Sequence, residues 1–216
     1  MIKQFFLGLF LFTLCIPLSA QKNNIEYGFQ SGVNINSAYG NAINKSVRKS
    51  AAGFSIGGHF KIQTSKHFAF KALLAYEQNG WTYRSLVFAS GPGSAFFKLN
   101  YLNLPLLVEY SYGNKIKFNI DGGVFGGYLL SNKLTIKITG DTPSTESSSS
   151  DARKSVNFGI SAGAGAQFPL ASKLKLDFGI RNNLGLANIN KSANVQQSSS
   201  IKTNALSILA GVTFQL

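Results

Sequence analysis

Few side chains in this sequence could do chemistry, and they are far apart. His59 and His67 are the only two histidines, too few for most metal sites or nucleophilic triads. Cys15 is the single thiol, and it lies within the first 20 residues. Gly122-Gly123 and Gly163-Ala164-Gly165 resemble phosphate loops, but such a loop must open a helix, and neither is followed by a helical pattern. Asn44-Lys45-Ser46 and Asn190-Lys191-Ser192 fit a glycosylation acceptor, a three-residue pattern that is common by chance. Ionisable residues are more informative. Glu26, Lys61, Lys71, Glu77, Glu109, Lys117, Asp121, Lys175, Asp177 and Arg181 are spread along the chain, five acids and five bases. General acid–base chemistry needs such groups within hydrogen-bond reach, so the elements that carry them decide their role.

Those elements are strands. Leu174, Leu176, Phe178 and Ile180 alternate with Lys175, Asp177, Gly179 and Arg181, and this period of two recurs eight times. Period-two alternation gives a strand one apolar and one polar face. The predicted strands are 25–37, 53–62, 68–80, 100–111, 116–130, 155–168, 174–186 and 204–216. Connections alternate between short (Gln63–His67, Tyr112–Lys115, Pro169–Lys173) and long (38–52, 81–99, 131–154, 187–203). The third long connection contains Ser147-Ser148-Ser149-Ser150, which lacks the apolar surface needed to fold by itself. Pro105 lacks a ladder donor and predicts a bulge or local break.

The N-terminus reads as an export signal, residues 1–20. Lys3 precedes an apolar stretch of 14 residues, Phe5 to Leu18, and Ser19-Ala20 offers a cleavage site before Gln21. Leu14 before Cys15 argues against lipidation. Cleavage leaves a single domain, 21–216, without cysteine and hence without disulfides. No later apolar run reaches the roughly 20 residues of a membrane helix, whereas a barrel strand needs only about 9–11. Lys and Arg number 21 against 8 Asp and Glu. In an exported chain without a recognition-helix pattern, that excess suits an anionic membrane surface better than nucleic acid.

Alternation alone does not say which face points inward. The polar face is rich in Gly, Ala, Ser and Asn, and only 13% of the chain is charged. A water-facing exterior would carry many more Lys and Glu, and an eight-stranded barrel has room inside only for packed side chains. The apolar face is therefore placed in lipid. The expected fold is all-β: an eight-stranded, antiparallel, up-and-down transmembrane β-barrel in a bacterial outer membrane. Short turns and both termini belong on the periplasmic side. The ten ionisable residues then line the lumen, where unpaired charge is costly. They form either a cross-barrel network that plugs it or a set of separate hydrated groups. Basic residues populate the external loops. Of these, Lys45, Arg48, Lys49, Arg153 and Lys154 are candidate contacts to lipopolysaccharide phosphate, unless they are ordinary loop surface. Trp81, Tyr83, Phe96, Phe97 and Tyr101 suggest an interfacial aromatic girdle.

The segment Tyr101-Leu102-Asn103-Leu104-Pro105-Leu106-Leu107-Val108-Glu109-Tyr110 resembles the Tyr-Leu-x-Ile-Pro-Leu-Leu strand of PorT-like outer-membrane barrels of one Gram-negative phylum. Phe118 to Leu130, with its glycine pairs, and Arg181-Asn182-Asn183-Leu184-Gly185-Leu186 are similar to two further strands of that family. Asn182 stands where the family favours Tyr, and Leu216 ends the chain where barrels usually have an aromatic residue. The resemblance implies a barrel without agreed catalytic residues, and its namesake is implicated in protein secretion; no cofactor is expected. The resulting expectation is a non-catalytic barrel with a plugged lumen and a structural or interaction role at the cell surface. Its partners would be outer-membrane lipid and lipopolysaccharide, with a possible unidentified protein. Small-solute transport and a soluble apolar-ligand carrier are the alternatives.

Overall fold

The computed structural model describes residues 25–44, 46–88, 91–138, 145–147, 153–191 and 199–216. The expected export signal lies outside them, as does Lys45. Among the described residues nine strands run in chain order: β1 (Ile25–Tyr39), β2 (Arg48–Gln63), β3 (Phe68–Phe88), β4 (Gly91–Tyr112), β5 (Lys117–Ile138), β6 (Thr145–Ser147), β7 (Val156–Ala171), β8 (Leu174–Gly185) and β9 (Lys202–Gln215). All pairings are antiparallel. Eight strands close a ring, and the three-residue β6 pairs on the upper part of β5. Among the described residues no helix is long and apolar enough to cross a membrane.

The register fixes the barrel's shape. Ile25 pairs with Ile62, then the partners run Phe70, Val108, Gly122, Ala162, Asn182 and Leu206, which pairs with Ile35. One circuit perpendicular to the strands thus returns to β1 ten residues higher. With eight strands about 4.8 Å apart and a rise of about 3.3 Å per residue, that shear tilts the strands by roughly 40°. The backbone radius is then about 8 Å, so side chains fill the interior.

The apolar faces point outward. Phe29, Val33, Phe54, Ile56, Phe70, Leu104, Leu106, Phe178, Ile180 and Ile208 are all exposed on the outer wall. This orientation is incompatible with a soluble carrier whose apolar face lines a cavity. From Leu174 to Leu186 the outward residues of β8 cover roughly 30 Å along the axis at that tilt, comparable to the apolar band of an outer-membrane barrel. Three tight turns and both described chain ends share one end of the barrel, where Leu216 N donates to the Ile25 carbonyl at 3.0 Å. Tyr27 stacks on Phe214 there, and Phe68 meets Tyr110 edge-on. That belt is the aromatic girdle, at the opposite end from where Trp81 and Tyr101 suggested one.

All four expected long connections are partly strand, two of them extensively. Instead of a long connection over 81–99, β3 and β4 continue through it as a hairpin, and β5 continues to Ile138 beside them. These strands have 21, 22 and 22 residues, against 12 in β8, so a tall wall rises from one side of the external rim. Long strands form here because Trp81, Tyr83, Phe97 and Leu99 still have an inner surface to pack on. Pro105 keeps its pairing with Phe125 of β5. On the β3 side the paired residues jump from Ala72–Leu106 to Ala75–Asn103 without a change of register. The missing donor therefore opens the ladder locally instead of inserting a bulge.

Candidate functional site

The lumen is the candidate site, and ion pairs link much of it. Lys61 Nζ lies 2.7 Å from Glu26 Oε2 and 3.1 Å from Glu109 Oε1. Lys71 Nζ bridges Glu109 Oε2 at 3.6 Å and Asp121 Oδ2 at 3.9 Å. Lys175 pairs with Glu26, and Arg181 Nη2 reaches Asp121 Oδ2 at 3.9 Å. The result is an alternating chain: Lys175, Glu26, Lys61, Glu109, Lys71, Asp121, Arg181. It starts on β8, passes through β1, β2, β4, β3 and β5, and ends on β8 six residues above its start. Every carboxylate in it has two cationic neighbours, which offsets the cost of holding charge at low dielectric.

Three of the ten lumen residues stand apart from this chain. Glu77 is held by amides: Asn103 Nδ2 donates to it at 2.6 Å, and Asn183 Nδ2 at 3.0 and 3.2 Å. Asp177 accepts from Gln167 at 2.6 Å and from the Thr213 hydroxyl at 2.5 Å. Lys117, near the periplasmic mouth, makes no ion pair among the described residues. The ten residues are therefore one seven-membered chain, two carboxylates in neutral hydrogen-bond nests, and one separate lysine.

His59 faces this interior, its Nε2 3.0 Å from Thr213 Oγ1. Gly28 makes room for it, since a Cβ there would sit 2.6 Å from the imidazole Cε1. Gly163 likewise leaves space beside Asp121, whose Oδ1 would be 2.5 Å from an added Cβ. His67 lies in a tight turn, stacked on Tyr110 and Tyr112, with Nδ1 3.0 Å from the Ser111 carbonyl oxygen. Among the described residues, no group of three His, Cys, Asp or Glu could hold a metal. Leu73, Leu107, Phe125 and Leu209 are also buried inward and fill the middle of the lumen.

A second closure sits at the external mouth. Trp81, Leu99 and Tyr101 point inward and pack with Ala38 and with Ile43, Ile189 and Ile201 from the loops. Trp81 is 1% exposed and Tyr101 0%. Trp81 stacks on Phe97 with ring centroids 4.9 Å apart, and Tyr83 meets Phe97 edge-on. The Arg153 guanidinium lies 5.5 Å from the Trp81 ring and 5.6 Å from Phe97. Its Nη1 donates to Asn190 Oδ1 at 2.9 Å. Burial pulls this guanidinium below the usual arginine value.

The external cations divide accordingly. Arg153 is 9% exposed and packs in the cap against Trp81 and Phe97. Arg48 donates from Nη1 to the Ala38 carbonyl, which ties the first loop to the rim. Lys49 and Lys154 are exposed.

An eight-stranded ring with a lipid-compatible exterior, an aromatic belt at one end and a filled interior defines a small transmembrane barrel of the outer-membrane type. Residues 19–191 match the model for the outer membrane protein beta-barrel domain, and the chain belongs to that family. It is similar in structure to the outer membrane protein OprG from Pseudomonas aeruginosa, with 13% identity over 90% of this chain and 95% of that one, TM-score 0.50. A major outer membrane protein from Thermus thermophilus is similar to the same degree, with 10% identity over 91% of this chain and 100% of that one, TM-score 0.50. At these identities the likeness concerns the fold. No curated protein matches the sequence.

Proposed function

We propose that this outer-membrane barrel is a closed anchor that holds an interaction surface at the cell exterior, without moving solutes through its lumen and without catalysis. The observation that carries this reading is the double closure: an ion-pair chain across the lumen and an apolar cap over its mouth. Solute passage would require breaking both. The tall β3–β4–β5 wall then becomes the most prominent external feature, with Val87 near its tip 88% exposed. The likeness of Tyr101–Tyr110 to the PorT-like strand supports placing this partner-binding role near protein secretion, with the partner itself a protein. Outer-leaflet lipid and lipopolysaccharide are the surroundings in which it acts.

The test combines location, conductance and capture. The mature protein is expected to fractionate with the outer membrane and to migrate differently in gels before and after heating. Reconstituted in planar bilayers, it should show no stable conductance steps. Reproducible openings that vanish on denaturation would overturn the closed-anchor reading and favour transport. A photo-crosslinker at position 87 should capture a specific external protein in intact cells. Absence of any specific adduct, with the barrel correctly inserted, would overturn the interaction role.

A further inference from the structure

The lipid-facing wall has an indentation at its external end, between β7 and β8. The ladder stops there because Leu186 N and Ala187 N both donate to the Phe158 carbonyl, at 2.8 and 3.1 Å. Past that point the chain following β8 turns inward and delivers Ile189 to the cap. Outside, it leaves a groove of about 770 Å³ lined by Val156, Phe158, Leu186, Asn188, Lys154 and Lys191, with Arg153 and Ser155 also bordering it. Its floor is apolar, because Val156, Phe158 and Leu186 are outward residues exposed on the wall. Its upper edge is cationic. Lys154 N donates to the Ile189 carbonyl at 2.8 Å, and Arg153 and Asn190 form a backbone bridge. Those bonds bring Lys154 and Lys191, both exposed, to neighbouring segments of one rim.

The order of these features along the barrel axis matches a lipid. The apolar floor lies at the top of the outward apolar band, and Lys154 and Lys191 line the groove from the segments beyond the strand ends. An acyl chain against Val156, Phe158 and Leu186 would carry its headgroup phosphate up to the lysines. Lysine binds phosphate as a point charge, and basic pockets at membrane boundaries take anionic headgroups. With Arg153 committed to Trp81, Phe97 and Asn190, the charge on offer to a ligand is that of Lys154 and Lys191.

We infer that this groove is a binding site for a phosphorylated lipid of the outer leaflet, held by Lys154 and Lys191 at its phosphate and by Val156, Phe158 and Leu186 at its acyl chain. The inference rests on the outer-membrane reading and names a lipid partner for the external rim.

The test uses the full mature barrel in detergent micelles, titrated with diphosphoryl lipid A and read by native mass spectrometry. Wild-type protein should retain lipid A, and the Lys154→Gln/Lys191→Gln pair should bind it at least tenfold more weakly. A control pair on the tall wall, Lys98→Gln/Lys137→Gln, should stay within twofold of wild type. Equal retention by both pairs would overturn the site. Inorganic pyrophosphate supplies the anion without the chain, and should not displace lipid A at concentrations where lipid A saturates. Displacement on equal terms would mean a free-anion site and would overturn the lipid assignment. Heat-modifiable migration confirms that each variant folds. If the double variant does not, Lys154→Gln alone is expected to weaken binding three- to fivefold, and wild-type binding by it would count against the proposal. The closed-anchor reading fails by conductance, a readout that lipid binding does not move.

Discussion

Replacing Lys61 by Met is the sharpest test of the lumen. Lys61 is 2% exposed and sits between Glu26 at 2.7 Å and Glu109 at 3.1 Å. Met fills a similar volume but removes the charge, so two buried carboxylates each lose one of two cationic neighbours. Breaking a buried pair from one side costs about 3–5 kcal/mol. Here Lys175 and Lys71 remain beside Glu26 and Glu109, so the loss should fall near the lower end, about 3 kcal/mol. The assay is urea unfolding in lipid vesicles, followed by fluorescence of Trp81, the only tryptophan in the sequence and 1% exposed in the cap. Lys117→Met is the control, because Lys117 is half-buried outside the ion-pair chain. Adding Glu109→Gln to Lys61→Met should recover about 1 kcal/mol or more by removing one stranded charge. If Lys61→Met and Lys117→Met destabilise equally, by less than about 1 kcal/mol, the lumen charges are separately hydrated and the network is not a unit.

Two further outcomes are expected. Phe178, 49% exposed on the outer wall, should not tolerate Arg: the cost is about 2–4 kcal/mol near the membrane midplane. Phe178→Leu should fold with near-normal yield into vesicles, and equal yields for Arg and Leu would contradict the face assignment. Arg153→Ala removes a cation from two aromatic rings and should cost about 0.5–2 kcal/mol. Trp81 should then become more accessible to acrylamide while the barrel stays folded; unchanged quenching would mean that Arg153 does not secure the cap.

Much of this arrangement could be read from alternation. Glu77, Asn79 and Trp81 are separated by even steps, so a strand that turns Glu77 inward does the same to Trp81. Tyr101 stands in the same relation to Glu109. The inward cap was thus available from parity, but the reading of 81–99 as a loop ended the alternation too early. The apolar exterior and the ten lumen residues were legible because each strand reports its own two faces. Which of those ten meet was not, since that depends on register between strands. Glu77 lies on the same face as Lys71 but six residues further along β3, and it meets Asn183 from across the barrel instead. The groove at Phe158 was also hidden, because it arises where the backbone of β8 leaves the ladder.

The seven-residue ion chain has a consequence for assembly. Outward apolar side chains cannot tell the native register from one slipped by two residues, because the same faces still meet lipid. Such a slip moves partners by about 6.6 Å along a strand. Ion pairs that now lie within 4 Å would be broken, leaving charges stranded in the interior. Because the chain begins and ends on β8 and crosses the β9–β1 closure between Lys175 and Glu26, it samples the alignment of the whole circuit. The charges thus serve as a vernier: lipid selects which side of each strand faces out, and the ion pairs select the one rotation at which the ring can shut.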